Sequence, residues 1–79
     1  MQATIEMIIK AIVDHKDEVS VKEVKRDRAT LFEVRVAGND MGKLIGRQGR
    51  TIRALRSLLS VAGVKHGRKF VIELVEDSD

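Results

Sequence analysis

Isoleucines recur near the start of the chain with the spacing of one face of a helix. The residues at i, i+3, i+4 and i+7 are Ile5, Ile8, Ile9 and Ile12. This spacing is typical of an amphipathic helix whose apolar side packs on a core, and it predicts a helix over residues 2–14. His15 follows directly and is interpreted as a helix-end residue rather than as a ligand.

The next stretch predicts two strands joined by a polar turn. Val19 and Val21 alternate with polar residues, and Val24 breaks the alternation, which indicates a strand with a local irregularity. Residues 26–29 form the turn, and residues 30–36 return as a second strand. The apolar residues on one face of the second strand are Phe32, Val34 and Val36. We therefore expect a β-hairpin with one covered face.

The second half of the chain predicts two helices around a glycine loop, and then a strand. Residues 37–40 supply a break and helix-capping side chains, followed by a short helix over residues 40–45. A longer helix is expected over residues 49–62, with Gly63 as its end. Its predicted core face consists of Ile52, Leu55, Leu58, Leu59 and Ala62. The alternating apolar residues of the last strand are Phe70, Ile72 and Leu74.

The order of elements is therefore helix, strand, strand, helix, helix, strand, in one domain of residues 1–79. This order predicts an α+β fold of two layers, in which helices cover one face of a three-stranded mixed sheet. The last strand is reached through a helical crossover, so we expect it to run parallel to one strand of the hairpin. Residues 76–79 add an acidic tail.

Composition excludes several classes of activity. The chain has no cysteine, so disulfides, thiol catalysis and cysteine-based metal sites are ruled out. No apolar run approaches the roughly 18 residues of a membrane span, and we expect a cytoplasmic protein. The two histidines and the scattered carboxylates show no catalytic or metal-ligating spacing. We expect a binding protein with no enzyme activity, metal or cofactor.

The net charge of +3 conceals an uneven distribution of charge along the chain. Residues 41–72 contain eight basic and no acidic residues, whereas the rest of the chain contains seven basic and twelve acidic residues. A basic block on an otherwise acidic chain indicates a polyanionic partner. A solvated surface without a partner explains the charge equally well, so charge alone leaves both readings open.

The loop Gly46-Arg47-Gln48-Gly49 lies inside this basic block. Its two glycines allow a sharp turn and leave no Cβ between the main chain and a ligand. Gly49 also opens a helix, whose unpaired N–H groups and positive dipole end favour an anion. Lys43, Arg47 and Arg50 add positive charge around the same point. The loop is predicted to clamp a nucleic-acid backbone.

Two other phosphate-binding motifs resemble this stretch and fail on residue identity. A P-loop needs Gly-x-x-x-x-Gly-Lys-[Ser/Thr], and a dinucleotide fingerprint needs Gly-x-Gly-x-x-Gly. Leu44 occupies the first glycine position of both patterns, and Arg50 stands where a P-loop has lysine. Neither motif is therefore present.

The helix–Gly-x-x-Gly–helix arrangement, with Leu44 and Ile45 before it and Ile52 after it, resembles a KH domain. The element order resembles the bacterial, type II version of that fold, over nearly the whole chain. A chain of this size is similar to the small bacterial RNA-binding proteins of the KhpA (YlqC) family. That family usually has lysine after the first glycine, and Arg47 keeps the charge with a forked geometry.

The resemblance implies a role for each residue around the loop. Gly46 and Gly49 would allow close approach of the backbone, and Arg47 and Gln48 would contact phosphates. Ile45, Ile52 and the following strand would form an apolar groove for unpaired bases, although both isoleucines fit an ordinary core equally well. The candidate RNA-binding residues are Lys43, Ile45, Gly46, Arg47, Gln48, Gly49, Arg50, Ile52 and Arg53.

Aromatic content limits how bases can be read. Phe32 and Phe70 are the only aromatic residues, and both are assigned to the core, which argues against base stacking of the RRM or OB kind. We expect loose, salt-sensitive recognition of single-stranded RNA. Single-stranded DNA stays open, because no residue is identified that would contact a 2′-OH.

The resemblance also implies partners and a physiological role. Members of the family form homodimers and pair with a larger multidomain KH protein, KhpB (Jag/EloR). The implied role is that of an RNA chaperone or post-transcriptional regulator linked to cell elongation and cell-wall synthesis. The alternative is a protein-interaction module in which RNA binding is secondary. The candidate dimer contacts are Ala54, Leu58 and Val61, and plain exposure of these residues is the competing interpretation.

Overall fold

A computed structural model describes residues 1–75, and its elements follow the predicted order. The helices are α1 (Gln2–Ile12), α2 (Met41–Ile45) and α3 (Arg50–His66). The strands are β1 (Ser20–Lys25), β2 (Ala29–Arg35) and β3 (Lys69–Val75). Short 3₁₀ turns occupy Lys16–Glu18, Gly38–Asp40 and Arg47–Gly49. The acidic tail predicted for residues 76–79 lies outside the described residues.

The three strands form one mixed sheet in the order β1-β2-β3. Strand β1 pairs with β2 antiparallel, and β3 pairs with β2 parallel, with Ile72 opposite Phe32. The predicted mixed sheet and the parallel last strand are confirmed, in the arrangement that the type II KH resemblance implies. The side chains of Val21 and Val34 face the helices and are buried.

The irregularity predicted at Val24 is wrong. Strand β1 pairs with β2 without interruption, and Val24 lies directly opposite Leu31. The alternation breaks for another reason: Glu23 takes the helix-side position opposite Phe32 and stays half-buried at the edge of the sheet. A charged residue thus replaces an apolar one, with no extra residue in the strand.

The core lies between the sheet and the three helices, and Phe32 is at its centre, fully buried. The half-buried Phe70 meets the Phe32 ring edge-on, with 5.4 Å between ring centroids. Both aromatic residues therefore lie on the helix side of the sheet, as predicted. The buried apolar residues are Ile5, Ile9, Val13, Val19, Val21, Phe32, Val34, Val36, Leu44, Ile52, Leu55, Leu59 and Ile72.

Helix α3 is longer than predicted, because Gly63 lies inside it rather than at its end. A Cβ at Gly63 would lie 2.4 Å from the carbonyl oxygen of Arg68, so this glycine lets the chain entering β3 pass against the helix. Gly67, with φ +67°, is the residue that ends the helix. The core face of α3 is also narrower than predicted, since Leu58 is 62% exposed.

The parallel pairing of β3 with β2 fixes the two ends of α3. Helix α3 begins at the glycine loop and ends beside the start of β3, where Lys69 lies opposite Ala29. Its 17 residues separate these two ends by about 24 Å, at about 1.5 Å per residue. The loop and the turn between β1 and β2 therefore lie at opposite ends of the domain.

Candidate nucleic-acid interface

The backbone of the loop is left-handed at three of its four residues. Gly46 has φ +77°, Gln48 has φ +57° and Gly49 has φ +73°. Within residues 1–75, Gln48 is the one non-glycine residue with positive φ, a conformation that costs an L-residue about 1–2 kcal/mol. The N–H of Gly49 donates to the carbonyl of Gly46 at 3.1 Å and closes the turn.

The two glycines are required for different reasons. A Cβ at Gly46 would lie 2.2 Å from Oγ1 of Thr51 and 2.8 Å from its backbone nitrogen, so Gly46 packs directly on the first turn of α3. At Gly49, the nearest atom to a Cβ would be Nε of Arg53, at 3.9 Å. Gly49 is therefore required by its backbone angles, and its surroundings leave space beside the main chain.

Arg53, an exposed residue of α3, holds the loop by hydrogen bonds to its main chain. Its Nη2 donates to the carbonyl of Gln48 at 2.6 Å, and its Nε donates to the carbonyl of Gly49 at 3.3 Å. One guanidinium therefore occupies the acceptors of two successive loop residues. The sequence placed Arg53 among the RNA contacts, and the structure shows this residue bound to the loop.

The remaining loop cations and the amide face solvent. Arg47, Gln48 and Arg50 are all exposed. Among residues 1–75, no carboxylate forms an ion pair with Arg47 or Arg50. The N–H groups of Gly49 and Arg50 donate to the carbonyls of Gly46 and Arg47. The first turn of α3 contains no acidic residue either, so the positive end of its dipole stands beside two guanidinium groups that have no carboxylate partner in residues 1–75.

Lys43 points to carboxylates on the neighbouring segment. Its ammonium hydrogen-bonds Oδ2 of Asp14 and lies 3.8 Å from Oδ1 of Asp40. The hydrogen bond that Lys43 donates to Asp14 raises the pKa of Lys43 above its ordinary value. The Lys43–Asp14 pair is largely exposed, and such pairs contribute little to stability in water.

Asp40 is fully buried and does not cap α2, so the predicted capping role is wrong. Its Oδ2 instead accepts the backbone N–H of His15 at 2.8 Å and lies 3.0 Å from the His15 ring nitrogen Nδ1. Burial acts to raise the pKa of Asp40, but the hydrogen bonds from His15 prevail and lower it. The hydrogen bond between the His15 ring and the Asp40 carboxylate raises the pKa of His15.

The two isoleucines predicted for a base-binding groove have different surroundings. Ile52 is 6% exposed and belongs to the core, whereas Ile45 is 38% exposed beside the loop. Of the two residues, Ile45 is the one that offers an apolar surface to a base.

Four exposed apolar residues form a stripe along α3, which we call the apolar stripe: Ala54, Leu58, Val61 and Val64. Leu58, Val61 and Val64 are 62%, 72% and 81% exposed. At about 100° per residue, the four side chains fall within about 120° of the helix circumference. Val64 was missed in the sequence because the helix was predicted to end before it.

Residues 1–75 contain neither a membrane-spanning helix nor a cluster of metal-ligating side chains. No helix in this range is long and apolar enough to cross a membrane. No group of three or more His, Cys, Asp or Glu side chains in this range could hold a metal ion.

Comparisons with known proteins find one family. A family model described as the KH domain of KhpA and KhpB matches residues 2–74. The RNA-binding protein KhpA of Clostridium acetobutylicum is 41% identical over 75 residues, 95% of this chain and 100% of that protein. The RNA-binding protein KhpA of Aquifex aeolicus is 42% identical over 72 residues, 91% of each chain. The same protein of Chlamydia caviae is 43% identical over 70 residues, 89% of this chain and 90% of its own. No solved structure shows a significant match.

Proposed function

The chain belongs to the KhpA/KhpB KH-domain family, and we propose that it binds single-stranded RNA through the loop from Gly46 to Gly49. The observation that carries this proposal is the exposed pair Arg47 and Gln48 at the tip of a left-handed turn. Within residues 1–75 neither side chain is bound by a carboxylate, so both are available to phosphates.

The loop favours a sugar-phosphate backbone through a side-chain donor and through the charge distribution of its main chain. Arg47 offers a forked guanidinium that can bind two phosphate oxygens at once. The N–H of Arg50 is already bound to the carbonyl of Arg47, so α3 contributes mainly the positive end of its dipole beside the loop. Because Arg53 occupies the carbonyls of Gln48 and Gly49, fewer acceptors are left to repel an approaching phosphate.

Base recognition is expected to be weak. Phe32 is fully buried, and the half-buried Phe70 packs against it at the opposite end of the domain from the loop, so neither ring is a stacking platform beside the loop. Ile45 supplies a limited apolar surface beside the loop. Most of the affinity then comes from phosphate contacts, which are largely independent of sequence and fall steeply with salt.

A charge reversal in the loop tests the proposal. Arg47→Asp with Gln48→Asp places two carboxylates at the tip and should abolish the gel shift of a single-stranded RNA. Lys16→Asp with Ser20→Asp is the matched control, because it changes the net charge equally at exposed positions outside the loop. Unchanged RNA affinity of the loop variant, with a normal thermal melt, would refute the assignment. A DNA oligomer of the same sequence tests whether the 2′-OH contributes.

The physiological part of the proposal comes from the family alone. We propose a role as an RNA chaperone or post-transcriptional regulator in the cytoplasm, linked to cell elongation and wall synthesis. Crosslinking the protein to RNA in its native cell and sequencing the attached RNA would identify the targets. Targets unrelated to envelope or elongation genes would remove this part and leave RNA binding intact.

The apolar stripe favours a second function, self-association through α3. Leu58, Val61 and Val64 expose more apolar surface than a solvated helix face needs. We propose a homodimer, with a larger multidomain KH protein of the KhpB (Jag/EloR) type as the alternative occupant of the stripe.

Sedimentation of the wild type and of Val61→Arg tests this second function. Met7→Arg is the control, since Met7 is 65% exposed on another helix and takes the same change of charge. The homodimer requires a dimeric wild type, a monomeric Val61→Arg and an unaffected Met7→Arg. A monomeric wild type removes the homodimer.

A further inference from the structure

A second basic site lies at the far end of α3, where the helix ends beside the start of β3 and the turn after β1. A cleft of about 430 Å³ opens there. The side chains around it are those of Arg28, Ser60, Val64, Arg68, Lys69 and Phe70. Three of these side chains are cationic and none is acidic.

Two cations of the cleft face solvent. Arg28 and Lys69 are both exposed, and the N–H of Lys69 donates to the carbonyl of Arg28 at 2.9 Å. This backbone hydrogen bond holds the two residues side by side, and both side chains line the cleft. Asp27 lies in the same turn but does not line the cleft.

Arg68 makes the cleft a fixed structure. Its Nε donates to Oγ1 of Thr30 at 3.0 Å. Its Nη2 donates to the carbonyls of Arg26 and Ala29, at 2.6 Å and 3.0 Å. The guanidinium therefore holds the turn against β3, while its positive charge still adds to the local potential.

A carboxylate-free face of α3 joins this cleft to the loop. The polar residues on that face are Arg50, Arg53, Ser57 and Ser60. At about 100° per residue they fall within about 80° of the helix circumference, and all four are exposed. The face runs alongside the apolar stripe, and Val64 belongs to the stripe and also lines the cleft.

We propose that the cleft between Arg28 and Lys69 is a second phosphate-binding site for the same RNA strand that the loop holds. This inference rests on the proposed function of the loop. A loop of this kind accounts for about four nucleotides, and the cleft lies about 24 Å away along α3. The cleft therefore contacts only a strand that is long enough to follow the helix.

Oligonucleotide length separates the two sites. Arg28→Gln with Lys69→Gln removes both exposed cations and leaves the Arg68 contacts in place. Binding is measured by fluorescence anisotropy at several salt concentrations, with oligouridylates of about five and about fifteen nucleotides. For the longer oligomer, we expect the slope of log K against log salt concentration to become less steep by about 1.4, because each lost phosphate contact removes about 0.7. This corresponds to a loss of about 25-fold in affinity at 0.1 M salt relative to the affinity at 1 M salt. The shorter oligomer should bind unchanged.

Two controls accompany the variant. Lys16→Gln with Lys22→Gln removes the same net charge at exposed positions away from the cleft, and it should leave the slope for the longer oligomer nearly unaltered. Arg28→Lys with Lys69→Arg keeps the charges and should retain wild-type affinity. Thermal melts of all variants report whether the domain is folded.

The outcomes distinguish the two proposals. If the loop variant loses both oligomers while the cleft variant keeps wild-type affinity and slope for the longer one, the second site is refuted and the loop stands. An equal loss in the Lys16 and Lys22 control also refutes it, because the effect is then general charge. If the wild type binds neither oligomer, the proposed function fails and the second site fails with it.

Discussion

Arg53 reaches back one turn of helix and donates to the carbonyl of Gln48 at 2.6 Å. Gln48 is also the residue with the strained φ of +57°, so the guanidinium stabilises the loop where its backbone is least favourable. A cation that sequence alone assigns to the RNA is thus part of the structure that shapes the binding loop. The conformation of the loop and the first turn of α3 depend on each other.

Replacing Arg53 tests this coupling. In Arg53→Ala the carbonyls of Gln48 and Gly49 lose their donor, so we expect larger backbone motion in residues 46–49 and weaker RNA binding. The change in global stability should be small, because the bonds are exposed. Backbone ¹⁵N relaxation measures the motion, and anisotropy measures the affinity.

Arg56→Ala is the control for Arg53→Ala, since Arg56 is an exposed arginine of the same helix. A direct phosphate contact by Arg53 alone would lower the affinity and leave the relaxation of the loop unchanged. That result would contradict the bracing role.

Gly46 is predicted to tolerate no side chain. In Gly46→Ala the new Cβ would overlap Oγ1 of Thr51 at 2.2 Å, and its φ of +77° is unfavourable for alanine. The strain of the left-handed backbone alone costs about 1–2 kcal/mol, and the overlap adds to it. Gly38→Ala, where no atom lies within 4 Å of the Cβ, should stay close to wild type. Urea unfolding compares the two variants, and equal midpoints would show that the loop relaxes freely.

Gly63→Ala separates helix propensity from packing. Alanine is the better helix former by about 1 kcal/mol, so propensity alone predicts a more stable protein. The Cβ would lie 2.4 Å from the carbonyl oxygen of Arg68, and overpacking of this kind typically costs about 1–3 kcal/mol. We expect a net loss of stability in urea, with Ser60→Ala on the exposed side of α3 as control. A gain in the Gly63 variant would mean that the chain before β3 moves away at little cost.

Periodicity was enough to find α1, α3 and the three strands, because burial on one face leaves a repeating mark in the sequence. Phe32 and Val34 are both fully buried where the alternation placed them. The end of α3 could not be read in the same way. A glycine that ends a helix and a glycine that admits a neighbouring segment look alike, and Gly63 is the second kind.

Contacts between distant parts of the chain left no local signal. Asp40 precedes a helix and matches a capping residue, yet its carboxylate binds His15, which lies 25 positions earlier. Leu58 follows Leu55 by three residues and matches the core spacing of α3, yet it is 62% exposed. Both errors concern what surrounds a side chain in the folded domain, which tertiary packing decides.

The His15–Asp40 contact predicts how stability varies with pH. Asp40 faces the His15 ring directly, and Glu18 and Asp14 also raise the pKa of His15. Because the pKa of His15 is raised, the contact stabilises the fold fully at pH values below the ordinary pKa of histidine, about 6.5. This contribution is lost as the pH rises through the raised pKa. Because the pKa of Asp40 is lowered, its carboxylate stabilises the fold at pH values above the ordinary carboxyl pKa, about 3.9. This contribution is lost as the pH falls through the lowered pKa. The contact should therefore be strongest from about pH 4 to about pH 6.5.

His15→Gln removes the titrating ring and keeps the backbone N–H that Asp40 accepts at 2.8 Å. We expect its free energy of unfolding in urea to fall below that of the wild type near pH 5.5 and to approach it near pH 8.5, because the wild type alone loses an ion pair over this range. His66→Gln removes the imidazole at the end of α3, whose ring lies against Phe70, and its difference from wild type should not follow that course. The His15 ring can also be titrated directly by NMR. A difference between wild type and His15→Gln that stays constant from pH 5.5 to pH 8.5 would show that the imidazolium does not stabilise the buried Asp40 carboxylate.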